Sequence, residues 1–158
     1  MSARIHHLAP DDVSLLEDLM VMFGEAFDEA DTYTGNRPSA AYLHDLLSGN
    51  SFIALAALKN GDVVGGIAAY ELKKFEQERS EIYIYDLAIL SGHRREGIAT
   101  ALIERLKEIA LKRGAYILFV QADTNAEDEP AIALYAKLGK REEVLHFDIP
   151  VESDGDDA

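Results

Sequence analysis

Residues 94–100, Arg94-Arg95-Glu96-Gly97-Ile98-Ala99-Thr100, constrain this chain more than any other stretch, because they must turn a strand at 81–89 into a helix within a few positions. Gly97 and Ala99 carry almost no side chain. Successive backbone N–H groups can therefore close on an anion while the new helix points its positive end at the same spot. Such a turn suits the phosphates of a nucleotide-bearing cofactor. A glycine ahead of a helix and two arginines at a turn also occur in loops that bind nothing. One glycine stands where a dinucleotide fingerprint needs three, and no G-x-x-x-x-G-K-S/T phosphate loop is present, so the surrounding elements have to decide.

Those elements are legible from periodicity. Residues 4–8 read as a short strand. Pro10, Asp11 and Asp12 then start a helix over 11–27 whose Leu16, Leu19, Met20, Phe23 and Phe27 share one face. A polar loop leads to Ser39, an N-cap for a short helix ending at Gly49. The runs 52–58 and 63–72 flank Asn60-Gly61 and form a hairpin. The strand at 81–89 alternates until Asp86-Leu87, where its parity breaks, as it would at a bulge. Ile98, Leu102, Leu106 and Ile109 give a helix from Gly97 to Gly114. A strand at 115–122, a helix at 130–138 and an alternating strand at 142–149 complete the chain. A hairpin-built half followed by a β-α-β half makes an α/β chain, an α+β mixed sheet with helices on both faces.

The 158 residues suit one domain, expected over 1–151, with 152–158 as an acidic, disordered tail. No apolar run is long enough to span a bilayer and residues 1–9 lack the marks of a secretory signal, so a cytoplasmic location is expected. The absence of cysteine excludes disulfides, thiolate metal sites and a cysteine nucleophile. His6, His7, His44, His93 and His146 show no ligand spacing, and no metal is expected. With 29 acidic against 15 basic residues the net charge is −14, which repels nucleic acid and anionic membrane and favours a polycationic partner. Two acidic clusters fall in loops, Glu25, Asp28, Glu29 and Asp31 after the first helix and Asp123, Glu127, Asp128 and Glu129 after a later strand; each would also serve as a merely solvating surface.

Leu87-Ala88-Ile89 followed by Arg94-x-x-Gly97-x-Ala99 at a helix start resembles the acetyl-CoA signature of the GNAT superfamily of N-acetyltransferases. Ala131-Ile132-Ala133-Leu134-Tyr135-Ala136-Lys137-Leu138-Gly139 is similar to that family's second motif, A-x-x-x-Y-x-K-x-G. Phe52 to Ala57, Lys74-Phe75-Glu76-Gln77, Ser80 to Ala88 and Arg141 to Ile149 further resemble type I aminoglycoside 3-N-acetyltransferases, a likeness running from Ile5 to Ile149. The family's asparagine ahead of the second motif is Asp128 here, and fewer residues follow Gly139 than two closing strands would need.

The resemblance implies a GNAT-like fold, with a mostly antiparallel central sheet and splayed fourth and fifth strands. It implies acetyl-CoA as donor and acetylation of the 3-amino group of gentamicin-like 2-deoxystreptamine drugs, hence antibiotic resistance, by a homodimer. The backbone of Arg94, Arg95, Glu96, Gly97, Ile98, Ala99 and Thr100 would take the pyrophosphate, and Leu87, Ala88 and Ile89 would pair with the pantetheine amides as an added strand does. Tyr135 would donate to the leaving thiolate, although its ring on an amphipathic helix also suits a core. Asp86, at the parity break beside the cofactor edge, is the leading base or amine-orienting carboxylate. Asp28, Glu29, Asp31, Glu81, Tyr83, Asp123, Glu142 and Glu143 would hold the cationic substrate. A cysteine-free chain with no Ser-His-Asp set fits direct transfer in a ternary complex. Another polyamine or protein amine as acceptor, or a non-catalytic acyl-CoA-binding domain, would use the same cofactor half.

Overall fold

Asn60 and Gly61 both take positive φ, 52° and 86°, as a type I′ turn demands, and they set the register of the central hairpin by pairing Lys59 with Asp62. The structure, a computed structural model, describes residues 2–124 and 128–152. It divides into two compact units, 1–121 and 122–158.

The first unit holds β1 (Arg4–His7), α1 (Val13–Ala26), α2 (Ala30–Thr34), α3 (Ala40–Ser48), β2 (Phe52–Lys59), β3 (Asp62–Lys73), β4 (Ser80–Ile89), α4 (Ile98–Arg113) and β5 (Ala115–Val120). The sheet order is β1-β2-β3-β4-β5, antiparallel throughout except for the parallel β4–β5 pair. β2 is buried along nearly its whole length because both sheet faces are covered. On one face Leu16, Leu19, Met22 and Phe23 of α1 and Leu43 and Leu47 of α3 pack with Phe52, Ala54 and Ala56. Gly66 admits this close approach, since a Cβ there would collide with Leu19 Cδ1 and stand 2.6 Å from the Leu55 carbonyl oxygen. The other face takes Ile98, Leu102, Leu106 and Ile109 of α4. Arg113 anchors that helix: its guanidinium donates to Glu71 Oε1 at 2.9 Å and to the Asn50 carbonyl at 3.0 Å, while Ser80 Oγ donates to Glu71 Oε2 at 2.7 Å. The buried Glu71 carboxylate is thus paired and hydrogen-bonded, which is the condition for tolerating a charge there.

The second unit contains α5 (Glu129–Leu138), with Pro130 in its first turn and Gly139 at its end. The strand expected at 142–149 is not formed: among the described residues no strand pairs with it, and Val144, Leu145, Phe147 and Ile149 are exposed. Alternation specifies which side chains would share a face and does not by itself say that a ladder forms. The helix α2 was not expected. Its five residues follow α1 through Asp28 at φ 55°, in a stretch whose composition reads as a polar loop. The residues of the acidic tail from 153 onward, and Glu127 of the second acidic cluster, lie outside the described residues.

Candidate active site

The parity break in β4 is a bulge. Ile84 pairs with Ala69 and Asp86 with Ala68, so Tyr85 is the extra residue. Ser80, Ile82 and Ile84 point to the α4 side of the sheet, and simple alternation would send Asp86 the same way. The inserted residue shifts the phase. Asp86 instead stands opposite Ala68 on the α1 side, together with Ala88, which belongs to the α1–α3 core. A one-residue slip decides whether this carboxylate meets a helix core or a cleft.

On that side Asp86 is half-buried and meets Tyr33 of α2, whose hydroxyl donates to Asp86 Oδ2 at 2.9 Å. Burial raises the Asp86 pKa from the ordinary carboxylate range, the Tyr33 bond opposes the rise, and the nearby Glu29 charge adds to it. Tyr33 is itself pushed far above the usual phenol range, first by burial and then by Asp86. Around this pair lies an aromatic floor. Tyr83 stacks on Phe119 at 4.8 Å between ring centroids and meets Tyr85 edge-on at 5.7 Å, and Tyr85 in turn meets Tyr70 edge-on at 5.8 Å. Tyr85 is exposed, offering a ring face beside the carboxylate.

Beyond the bulge β4 loses its neighbour. Its ladder with β5 runs from Ser80–Ala115 to Ile84–Val120 and stops, while on the opposite side Leu87, Ala88 and Ile89 stay paired with Ile67, Gly66 and Gly65. The β5-side edge of these three residues therefore has no strand partner among the described residues. This is the splay expected between the fourth and fifth strands.

The chain then makes a single 3₁₀ turn at Ser91–His93 and enters α4 through Arg95 and Gly97, at φ 66° and 80°. Gly97 supplies no side-chain cap, so the N–H groups of Ile98, Ala99 and Thr100 are those that a helix start leaves without an internal partner. Two contacts brace this loop. Arg94 Nε donates to the Ile89 carbonyl at 3.1 Å, and Lys59 Nζ reaches Glu96 Oε1 at 2.7 Å from the β2–β3 turn. Lys59 neutralises the one acid in an otherwise anion-suited loop, and its bond lowers the Glu96 pKa. Free edge, positive-φ turn and helix start together fit a coenzyme with amides at one end and a diphosphate at the other.

The remaining candidates fall in several places. Asp28 and Glu29 lie exposed on the α1–α2 turn and Asp31 lies exposed in α2; of the three, Glu29 is the acid whose charge acts on both Tyr33 and Asp86. Tyr83 lies on the aromatic floor and donates to Gln121 Oε1 at 3.1 Å. Glu81 sits near the far end of β4, engaged by Tyr116 Oη at 2.9 Å and Lys74 Nζ at 3.2 Å, which hold its pKa down. In the second unit Asp123 donates its backbone N–H to Asp128 Oδ2 at 2.8 Å, Glu143 pairs with Arg141 at 2.7 Å, and Glu142 is exposed. Tyr135 lies on α5, where burial, followed by the Asp128 charge, pushes its phenol up to about 12. Tyr33 and Lys59 escaped the sequence reading. Their partners lie 53 and 37 positions away, and no local pattern announces either contact.

Comparison with known proteins agrees with this geometry. The sequence matches the Acetyltransferase (GNAT) family over residues 14–140. It is 68% identical to an aminoglycoside acetyltransferase from an uncultured soil metagenomic sample, covering 96% of this chain and 100% of that one, with a TM-score of 0.95. A second such enzyme, also from an uncultured soil metagenomic sample and solved in complex with sisomicin, is 29% identical, with coverage of 95% and 97% and a TM-score of 0.86. N-acetyltransferase 8F1 of Mus musculus is 31% identical over 91 residues, 58% of this chain; the match spans 40% of that protein's length. With the family matched across most of its length, and with the splayed strands and the positive-φ loop into α4 in place, the chain belongs to the acetyltransferase (GNAT) family.

Proposed function

We propose that this chain transfers the acetyl group of acetyl-CoA to the 3-amino group of gentamicin-like aminoglycosides, directly within a ternary complex, and so confers resistance to them. One observation carries the cofactor half: the β4–β5 ladder stops at Ile84–Val120, leaving the Leu87-Ala88-Ile89 edge open beside a loop suited to a diphosphate. The acceptor half is supported by the 68% identity to an aminoglycoside acetyltransferase. It is also supported by the Glu29 charge acting on Asp86 and by an aromatic floor suited to sugar rings. The resemblance also carries the expectation of a single domain over 1–151 and of a cytoplasmic homodimer.

The backbone of residues 94–100 would hold the diphosphate, and the free edge of β4 the pantetheine amides. When bound, acetyl-CoA supplies an acetyl group already activated as a thioester. Asp86 orients the acceptor amine and accepts its proton, a task that a half-buried carboxyl of raised pKa performs better than an ordinary one. Tyr135 donates to the departing sulfur. Asp28, Glu29 and Asp31 draw the cationic drug to the same side of the sheet, with Asp123, Glu142 and Glu143 as further carboxylates for it.

A thiol-release assay with acetyl-CoA against gentamicin, sisomicin, kanamycin, spermidine and a lysine peptide tests this reading. Turnover should be greatest on gentamicin or sisomicin, NMR of the product should place the acetyl on the 3-amino nitrogen, and added salt should raise KM for the drug. No turnover on either drug refutes the reading, and acetyl on another nitrogen refutes the regiochemistry.

A further inference from the structure

The helix α2 is too short to hold its own place. Its five residues include none that is buried. What fixes it is Tyr33, whose ring lies 5.9 Å from those of both Phe23 and Phe27 and whose hydroxyl reaches Asp86 Oδ2 at 2.9 Å. A phenol so near the surface could have been satisfied by water. Instead it is aimed at the carboxylate on the bulge.

We propose that Tyr33 is a positioning residue for acetyl transfer: by holding Oδ2 it fixes the Asp86 carboxylate with Oδ1 left for the substrate amine, and it ties α2 and the turn before it, which carry Asp28, Glu29 and Asp31, to that carboxylate. The proposal rests on the reading of Asp86 as base or orienter. The titratable groups facing Asp86 are Tyr33 of α2, Glu29 ahead of it, Tyr70 of β3, and Tyr83 and Tyr85 of β4. None is a cation. Among these groups, Tyr33 is the one whose bond favours the ionised carboxylate, against burial and Glu29, which favour the acid.

Tyr33→Phe keeps the ring among Phe23 and Phe27 and removes only this donor. With burial and Glu29 unopposed, the Asp86 carboxyl should titrate at higher pH. Because a base works only when deprotonated, the acid limb of activity should move the same way.

Two readouts test this. The first is a carbon-13 NMR titration of carboxyl-labelled protein without ligands, with the Asp86 signal identified by its loss in Asp86→Asn. The second is the pH profile of kcat/KM for gentamicin. Tyr33→Phe should raise the Asp86 titration by about half a pH unit or more and lower kcat/KM by about threefold or more near the acid limb, the loss shrinking at alkaline pH to the part that misorientation alone causes. KM for acetyl-CoA should stay unchanged. An unmoved Asp86 titration, whether the profile is superimposable or lowered evenly at every pH, overturns the role of Tyr33 while Asp86→Asn stays inactive. A wild-type profile in Asp86→Asn overturns the reading of Asp86 itself, whatever Tyr33→Phe does.

Discussion

Asp86→Asn should lower kcat/KM for gentamicin by about 10²- to 10⁴-fold, the span that a positioned general base contributes. The substitution is isosteric, so Tyr33 can still donate to the side-chain oxygen and the α2 turn stays in place. What disappears is the ability to take a proton. Linkage gives the change a second signature. A carboxyl whose pKa is raised on folding binds its proton more tightly in the native state than in the unfolded one, so its ionised form costs stability above its unfolded pKa. Replacing it by a neutral amide removes that cost. The variant should therefore melt no lower than wild type at neutral pH while losing most of its activity, a pairing typical of a group strained for function. Steady-state kinetics from pH 6 to 9 beside thermal melts check both halves. Wild-type rates across that range eliminate Asp86 as base or orienter, and lost activity with a lowered melting point marks it as a structural group.

Tyr135→Phe should lower kcat by about 10- to 10²-fold with KM for acetyl-CoA nearly unchanged, the pattern of an interaction made only in the transition state. Burial and Asp128 push this phenol up to about 12, so it stays protonated throughout the working range and is always a donor. It is also a weak acid. A free thiol titrates near about 8.5, well below Tyr135, so a departing thiolate gains little from taking the proton outright. Its main service is a hydrogen bond to the charge growing on sulfur, and removing one such donor costs less than removing the base. An unchanged kcat takes Tyr135 out of the reaction, and a raised KM for acetyl-CoA at constant kcat makes it a binding residue.

What the sequence revealed was local. Asn60-Gly61 fixed a turn because few other dipeptides accept positive φ at both positions, and Ser39 was legible as a cap because its hydroxyl accepts from the Tyr42 N–H three residues on, at 3.1 Å. The Gly97-to-Gly114 helix announced itself by a sustained apolar period between two glycines that both adopt φ near 80°. Even the bulge showed, since a parity break is a local event. What stayed hidden depended on contacts across the fold. Tyr33 meets Asp86 only because α1 turns back through Asp28, and Lys59 meets Glu96 only because the hairpin turn lies beside the loop into α4. Glu81 looked available as an acid on the substrate strand, but Tyr116 and Lys74, from β5 and the turn after β3, already engage it. The segment 142–149 had the right alternation and yet forms no strand, because alternation sets which side chains share a face and does not say whether a ladder is made.

In the proposed function the turn from β4 into α4 grips the diphosphate of coenzyme A along the open end of the sheet. Amide chemical-shift mapping of nitrogen-15-labelled protein titrated with coenzyme A tests it most directly. The largest saturable shifts should fall on the N–H groups of residues 94–100 and 87–89. Shifts clustered on other elements, with these amides unmoved at saturation, would contradict it.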